Sequence, residues 1–340
     1  VNTGLLYDER FLRHKAPYEH PEHPGRLTAI WEHLGQEGLI QRSLRVAARE
    51  ASREELLAIH TEGHVAEVES TARHAFVQLD PDTYTRRDSA QAALLAAGGL
   101  VDLVSAVLRG DIDNGFALLR PPGHHAEADR AMGFCLYNNV AIAARAAQRA
   151  GARRVAIVDW DLHHGNGTQN SFYGDPDVLY FSTHQYPFYP GTGAIEETGD
   201  GEARGRTVNV PWPGGQGDAD YLAAIEQVLL PIERAFDSDL LLVSCGFDAA
   251  EGDPLGAMRI SPAGYAQMTS RLRGLAGGRL VLALEGGYNL EAISASAGAC
   301  LRVLLGETSP AIQPGPVSSA AERVLERVTA AQRPFWPGIL

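Results

Sequence analysis

Asp161 and His163 stand two residues apart in the run Asp159-Trp-Asp-Leu-His-His-Gly-Asn-Gly-Thr168. In an extended segment, residues at that spacing point the same way. A carboxylate and an imidazole placed so can chelate one divalent ion. Asp248, in Gly246-Phe-Asp248 just past another apolar run, is the candidate third ligand. Two carboxylates and one histidine, with no thiolate, suit Zn²⁺ in a catalytic role, with one position left open for water and substrate. Fe(II) is the alternative ion for such a donor set.

His124 and His125 follow Pro121-Pro-Gly123. Such a turn can fix the backbone so that both rings reach one pocket. Histidine is the usual general acid–base near neutral pH. Asp159 and Asn166 are the candidate orienters of the two rings. A carboxylate partner favours a cationic ring and an amide does not, so the two histidines should differ in basicity and in role. Tyr288 follows Gly286 and Gly287, which permit a tight loop, and its phenol could donate to a developing oxyanion. His60, His64 and His74 have no comparable setting and read as surface or core residues.

These groups need a scaffold that brings them together. Continuous apolar runs at Phe116–Leu119, Arg154–Trp160, Val178–Ser182, Asp239–Cys245 and Arg279–Leu284 read as buried parallel strands, with weaker ones at Gly4–Tyr7 and Thr207–Val210. Helical patterns lie between them, over Arg26–Gln36, Gly63–His74, Ser89–Arg109, Asn138–Ala150, Asp218–Phe236, Ser261–Leu275 and Asn289–Leu305. Alternation of this kind implies an α/β domain with a parallel sheet covered on both faces. Every cluster with chemistry follows a strand, and open α/β sheets bind ligands beyond the carboxyl ends of their strands. No composition break marks a linker. Residues 1–305 read as one catalytic domain. Residues 306–340 read as an extension packed on it, with one helix near Ala320–Ala331.

Composition narrows the partners. Lys and Arg number 29 against 42 Asp and Glu, a formal charge of −13. That balance disfavours direct nucleic-acid binding, which needs a basic face. No stretch is read as a membrane span. Val1–Asp8 lacks a basic segment followed by an apolar one, so no leader is expected. Three scattered cysteines, Cys135, Cys245 and Cys300, make no disulfide framework or CxxC site, and a reducing cytoplasm fits.

The chain resembles the histone deacetylase family of the arginase–deacetylase superfamily. The resemblance is carried by His20-Pro-Glu-His-Pro-Gly-Arg26, Arg120-Pro-Pro-Gly-His-His-Ala126, Gly133-Phe-Cys-Leu-Tyr-Asn-Asn139, the Asp159–Gln169 run, Phe188-Tyr-Pro-Gly-Thr-Gly193, Ser244-Cys-Gly-Phe-Asp-Ala249, Gly252-Asp-Pro-Leu-Gly256 and Leu284-Glu-Gly-Gly-Tyr-Asn289. Asn166 and Gly246-Phe-Asp248 resemble the class II branch and its bacterial relatives. The resemblance implies a single domain with a central eight-stranded parallel sheet and helices on both faces. It implies one Zn²⁺ held by Asp161, His163 and Asp248. It makes His125 the general base and then the acid, His124 mainly electrostatic, Asp159 and Asn166 their partners, and Tyr288 the oxyanion donor. The implied reaction is hydrolysis of an acetyl-lysine amide. Arginase-like members of the superfamily hold two Mn²⁺ ions with carboxylates where this chain has Gly165 and Gly246, so one metal is expected.

The resemblance also assigns the channel. Phe134 and Tyr189 match the aromatic pair of a narrow acyl-lysine tunnel, and Gly133 matches a backbone position on its wall. Leu255 occupies the place where polyamine-specialised members carry a gatekeeper Glu. The expected substrate is therefore an acetylated lysine peptide or protein, with acetylated polyamines or other small amides as the runner-up. A non-catalytic acyl-ligand binder is a third reading. Asp80 and Asp82 lie in the matching rim loop, and Asp82 is the residue expected to grip substrate amides. K⁺ sites are implied at Asp159, Asp161, His163, Ser182 and Thr183, and at Phe172, Asp175 and Val178. Arg26 matches an arginine near the floor, and Cys135 and Cys245 should be buried near the site. A homo-oligomer is compatible with this reading.

Overall fold

Strand C-termini govern the architecture. A computed structural model of the chain describes residues 1–312 and 315–340. Its strands are β1 (Thr3–Leu6), β2 (Leu44–Val46), β3 (Val77–Gln78), β4 (Tyr84–Thr85), β5 (Asn114–Ala117), β6 (Val155–Asp159), β7 (Val178–Gln185), β8 (Thr207–Trp212), β9 (Leu240–Cys245) and β10 (Leu280–Leu284). Eight of them form one sheet in the order β2-β1-β5-β10-β9-β6-β7-β8. Every pairing in it is parallel. β3 and β4 make a separate antiparallel pair.

The residues of β5, β6, β9 and β10 are buried throughout, as a sheet covered by helices on both faces requires. These four strands are contiguous in the sheet centre. Their ends are also in register: Ser244 pairs with Asp159 on one side and with Ala283 on the other, and Ala283 pairs with Ala117. The loops that leave them therefore emerge side by side from one edge.

The structure departs from the sequence reading in several places. β5 ends at Ala117, not Leu119; Leu118 and Leu119 are fully buried but already lead into the Pro-Pro-Gly turn. The eighth strand, β2, was not visible as an apolar run, because Leu44 and Arg45 are exposed at the sheet edge. The single helix expected over Asp218–Phe236 is interrupted by a π turn at Ile225–Leu229. Pro231 explains the irregularity, since its ring lacks an N–H and clashes with the carbonyl four residues back. Ser89–Arg109 is 21 residues long and, by length and composition, apolar enough to cross a membrane, contrary to the expectation that no segment would be. Here it is a core helix, with Leu95, Leu100, Leu103 and Val104 buried.

Past residue 305, the helix Ser319–Gln332 packs on β8, and the Trp336 indole donates to Gly205 O at 3.0 Å. Asn138 and Asn289 cap the helices that follow two of the site loops, each accepting from backbone N–H groups of the first turn.

Candidate active site

The metal-type residues meet at the ends of β6 and β9. One ligand atom from each of Asp161, His163 and Asp248 lies within 4.8 Å of the others. The two carboxylates are fully buried, while His163 is 11% exposed. His163 Nδ1 is 3.0 Å from Asp248 Oδ2 and 3.3 Å from Asp161 Oδ1. Backbone amides pin the carboxylates from behind: Leu162 N donates to Asp248 Oδ1 and Gly286 N to Asp161 Oδ2, both at 2.8 Å.

The electrostatics are those of a cation site. Burial pushes Asp248 up to about 7, and the Asp161 charge adds to this. Burial also opposes ionisation of Asp161, but His124 and His163 hold it below the usual carboxylate range. Burial works against a charge on His163, yet its hydrogen bonds to both carboxylates raise it to about 9. Two oxygen donors and one nitrogen, crowded and desolvated, fit a divalent ion with open positions.

Two glycines make this crowding feasible. A Cβ on Gly246 would fall 2.0 Å from Asp161 Oδ2, and one on Gly286 would fall 2.3 Å from Asp248 Oδ2. Gly165 is equally confined, with Asp159 Oδ2 at 2.2 Å from its would-be Cβ. A carboxylate at 165 has no room unless Asp159, Tyr180 or His124 moves, and one at 246 has none unless Asp161 moves.

The histidine pair sits on the turn after β5. His124 Nδ1 is 3.0 Å from Asp159 Oδ2, and His125 Nδ1 is 2.7 Å from Asn166 Oδ1. Burial disfavours charge on both rings. For His124 the Asp161 and Asp159 carboxylates prevail and raise it to about 10. For His125 the charges of His124 and His163 act with burial, so it falls well below the ordinary histidine value. The turn is held by Glu285, whose Oε2 accepts from Gly123 N at 2.6 Å and His124 N at 3.2 Å. In the sequence Glu285 stands within the Leu284–Asn289 motif, and its place directly after β10 is the local signal of its role.

Tyr288 leaves β10 on a loop gripped from two sides. Asp253 Oδ2 accepts from Tyr288 N at 2.7 Å and Asn289 N at 3.1 Å, while its Oδ1 accepts from Leu255 N at 2.9 Å. On the other side the Arg26 guanidinium lies 4.9 Å from the Tyr288 ring centroid and donates to the carbonyls of Glu285 and Gly287. Arg26 is itself fully buried and paired with Glu22, which also binds Arg120. Glu22 and Asp253 were not singled out from sequence, although Glu22 and Arg26 are four apart at a helix start.

A cavity of about 80 Å³ opens above these groups. Its lining includes His124, His125, His163, Tyr288, Gly133, Phe134, Tyr189, Leu255 and Asp82. Tyr189 stands edge-on to His125 with centroids 5.1 Å apart, and Phe134 edge-on to Tyr288 at 6.0 Å. Asp82 Oδ1 is engaged within the protein, accepting from Gly133 N at 3.2 Å and from the Thr83 hydroxyl at 2.9 Å. Asp80 caps the same turn, accepting from Asp82 N and Thr83 N. Ser182 pairs with Asp159 across β7 and β6, and its hydroxyl is 2.9 Å from His184 Nδ1; Thr183 follows it, buried. Phe172 O accepts from Asp175 N, and Asp175 O from Val178 N, in two successive turns. His60 and His64 are buried, bonded to the carbonyls of Glu127 and Leu136, and His74 is exposed. Cys135, Cys245 and Cys300 are free and buried.

An eight-stranded parallel sheet with an Asp-His-Asp donor cluster at its central strand ends defines a member of the arginase–deacetylase superfamily. Within it, a histone deacetylase domain model matches residues 20–304. The chain belongs to the histone deacetylase family. It is 48% identical to Histone deacetylase 15 of Arabidopsis thaliana over 99% of its own length and 63% of that protein. It is 43% identical to Histone deacetylase 7 of Homo sapiens, over 98% of its length and 40% of the relative. The crystal structure of the HDA15 HD domain superposes with a TM-score of 0.95 at 48% identity, covering 99% of this chain and 96% of that one. The chain thus spans less than two thirds of these curated relatives.

Proposed function

We propose that this chain is a zinc-dependent amidohydrolase that removes acetyl groups from lysine side chains. The observation that carries the reading is that His163 of the Asp161–His163–Asp248 cluster lines one cavity together with His125 and Tyr288. Asp161, His163 and Asp248 would hold one Zn²⁺, with Fe(II) as the alternative. A divalent ion held there would supply Lewis acidity toward the amide carbonyl and the attacking water. His125, kept neutral by its surroundings, takes a proton from the attacking water. His124, cationic beside Asp159, lowers the energy of the negative charge that develops. The Tyr288 hydroxyl donates to that oxyanion. His125 returns its proton to the departing nitrogen as the C–N bond breaks, giving acetate and free lysine. Phe134 and Tyr189 would flank the methylene chain, and Asp82 would keep its second oxygen for the substrate backbone. K⁺ would be held by the Asp159, Asp161, His163, Ser182 and Thr183 group and by Phe172, Asp175 and Val178. Three free, buried cysteines suit a reducing compartment such as the cytoplasm. Residues 306–340 complete the 1–305 domain rather than forming a second one.

The test is a substrate panel with metal analysis on the same sample. Acetyl-lysine peptides should outperform acetylated putrescine and spermidine, because Leu255 offers no carboxylate for a second amine. The reverse order would favour the polyamine reading, and metal-loaded protein inert on every substrate would favour a binding protein. One metal per chain is expected; two would contradict the crowding at Gly165 and Gly246. Tyr288→Phe should lose about 2–4 kcal/mol of transition-state stabilisation, roughly 30- to 1000-fold in kcat. Near-wild-type turnover of an acetyl-lysine peptide would remove Tyr288 from the mechanism.

A further inference from the structure

The amide of Asn166 has two ends of similar shape and opposite chemistry: Oδ1 accepts and Nδ2 donates. Oδ1 faces His125 Nδ1. Nδ2 faces the Glu127 carboxylate, 2.5 Å from Oε1, with His125 O at 3.4 Å and the Met132 sulfur at 3.5 Å. All three are acceptors, so only one orientation of the amide is satisfied. An acceptor at His125 Nδ1 requires a proton there, and a neutral ring then carries its lone pair on Nε2. The reversed amide would set a donor against Nδ1 and move the ring proton to Nε2. The ring could then accept nothing at that edge.

Glu127 makes the reversed state costly, because it would place Asn166 Oδ1 against a carboxylate. It is 9% exposed, and its own position is fixed. Asn170 Nδ2 donates to both its oxygens at 2.9 and 3.1 Å, and Glu127 N donates to Arg130 O at 3.0 Å. We propose that Glu127 is a positioning residue that selects the His125 tautomer through the orientation of Asn166. The inference rests on the role of His125 as the proton acceptor.

The experiment combines Glu127→Leu, Glu127→Gln and Asn166→Asp in the zinc-loaded full chain. Four quantities are read: the side-chain ¹⁵N shifts of His125 in ¹⁵N-histidine-labelled protein, kcat and KM on an acetyl-lysine peptide, and the melting temperature. The unaltered chain should show one tautomer, protonated at Nδ1. Glu127→Leu should show a mixture, with kcat reduced about 10- to 100-fold and KM within about 2-fold. Glu127→Gln keeps an acceptor oxygen and should retain most of kcat. Asn166→Asp sets two buried carboxylates against each other and should lower both melting temperature and kcat. Adding Glu127→Leu to it should raise both again. A purely structural role for Glu127 predicts no such reversal and no change of tautomer. A single tautomer with unchanged kcat in Glu127→Leu, or a double variant below Asn166→Asp in both measures, overturns the proposal. If the unaltered chain hydrolyses no acyl-lysine, the functional reading fails, while the ¹⁵N shifts and melting temperatures still decide this one.

Discussion

Gly286→Ala is expected to prevent metal loading at the proposed Asp161–His163–Asp248 site in a chain that still folds. The added methyl would sit 2.3 Å from Asp248 Oδ2 and 2.6 Å from Asp161 Oδ2. Neither oxygen can yield easily. Both belong to short, buried side chains whose carboxylates are already bonded to backbone amides, Asp248 Oδ1 to Leu162 N and Asp161 Oδ2 to Gly286 N. Something must shift, and a donor cluster tolerates displacement poorly because its ligand distances are narrow. Lewis-acid assistance is worth several kcal/mol, so kcat/KM should fall on the order of 10³-fold. Metal content measured beside turnover checks this. Full metal loading with near-wild-type turnover in Gly286→Ala would show that the cluster is not the ion site.

Glu22→Gln should destabilise the fold by about 3–5 kcal/mol. Glu22 is the carboxylate shared by two buried guanidiniums, Arg26 and Arg120, and all three side chains are fully buried. The amide keeps the shape but leaves both cations without a counterion. Denaturant unfolding of the two proteins at pH 7 measures the difference, and a loss below about 1 kcal/mol would contradict it. The pH dependence has a definite sign. Burial opposes ionisation of Glu22, but Arg120 and Arg26 hold it below the usual range. Its contribution is therefore intact above the ordinary value of 4.5 and fades as pH falls below it. Burial lowers His14 to about 3 from 6.5, so the unfolded chain takes up a proton there first. Stability should start to decline below pH 6.5 through His14 and continue below pH 4.5 through Glu22. Gln at position 22 removes the share of that second decline that Glu22 contributes.

Much of this site is legible in the amino-acid sequence. β6, β9 and β10 are buried on both faces, so they appear as unbroken apolar runs, and the polar clusters directly after them mark the active edge. Asp161, His163 and Asp248 could be proposed as partners because each follows such a run. What escaped has a common physical origin. Glu285, Asp253, Glu127 and Glu22 act by accepting hydrogen bonds from backbone amides, side-chain amides or guanidiniums brought in from distant segments. Glu22 and Arg120 are 98 residues apart, and Asp253 and Tyr288 are 35 apart. No local spacing records such pairings. Edge strand β2 escaped for the opposite reason, since exposed residues carry no burial pattern.

The Asp253 anchor bears on how the proposed deacetylase could be re-engineered. One carboxylate holds the backbone of Leu255, at the rim, and of Tyr288, at the reacting centre. Backbone changes that enlarge the opening at position 255 would be transmitted to the phenol, so broader acyl scope on that side would come with slower turnover. Phe134 and Tyr189 stand on other loops, outside this linkage. A library that diversifies 134 and 189 and leaves 253–255 untouched would keep the backbone anchor of Tyr288 intact, and its effect on rate would pass only through the ring contacts to Tyr288 and His125.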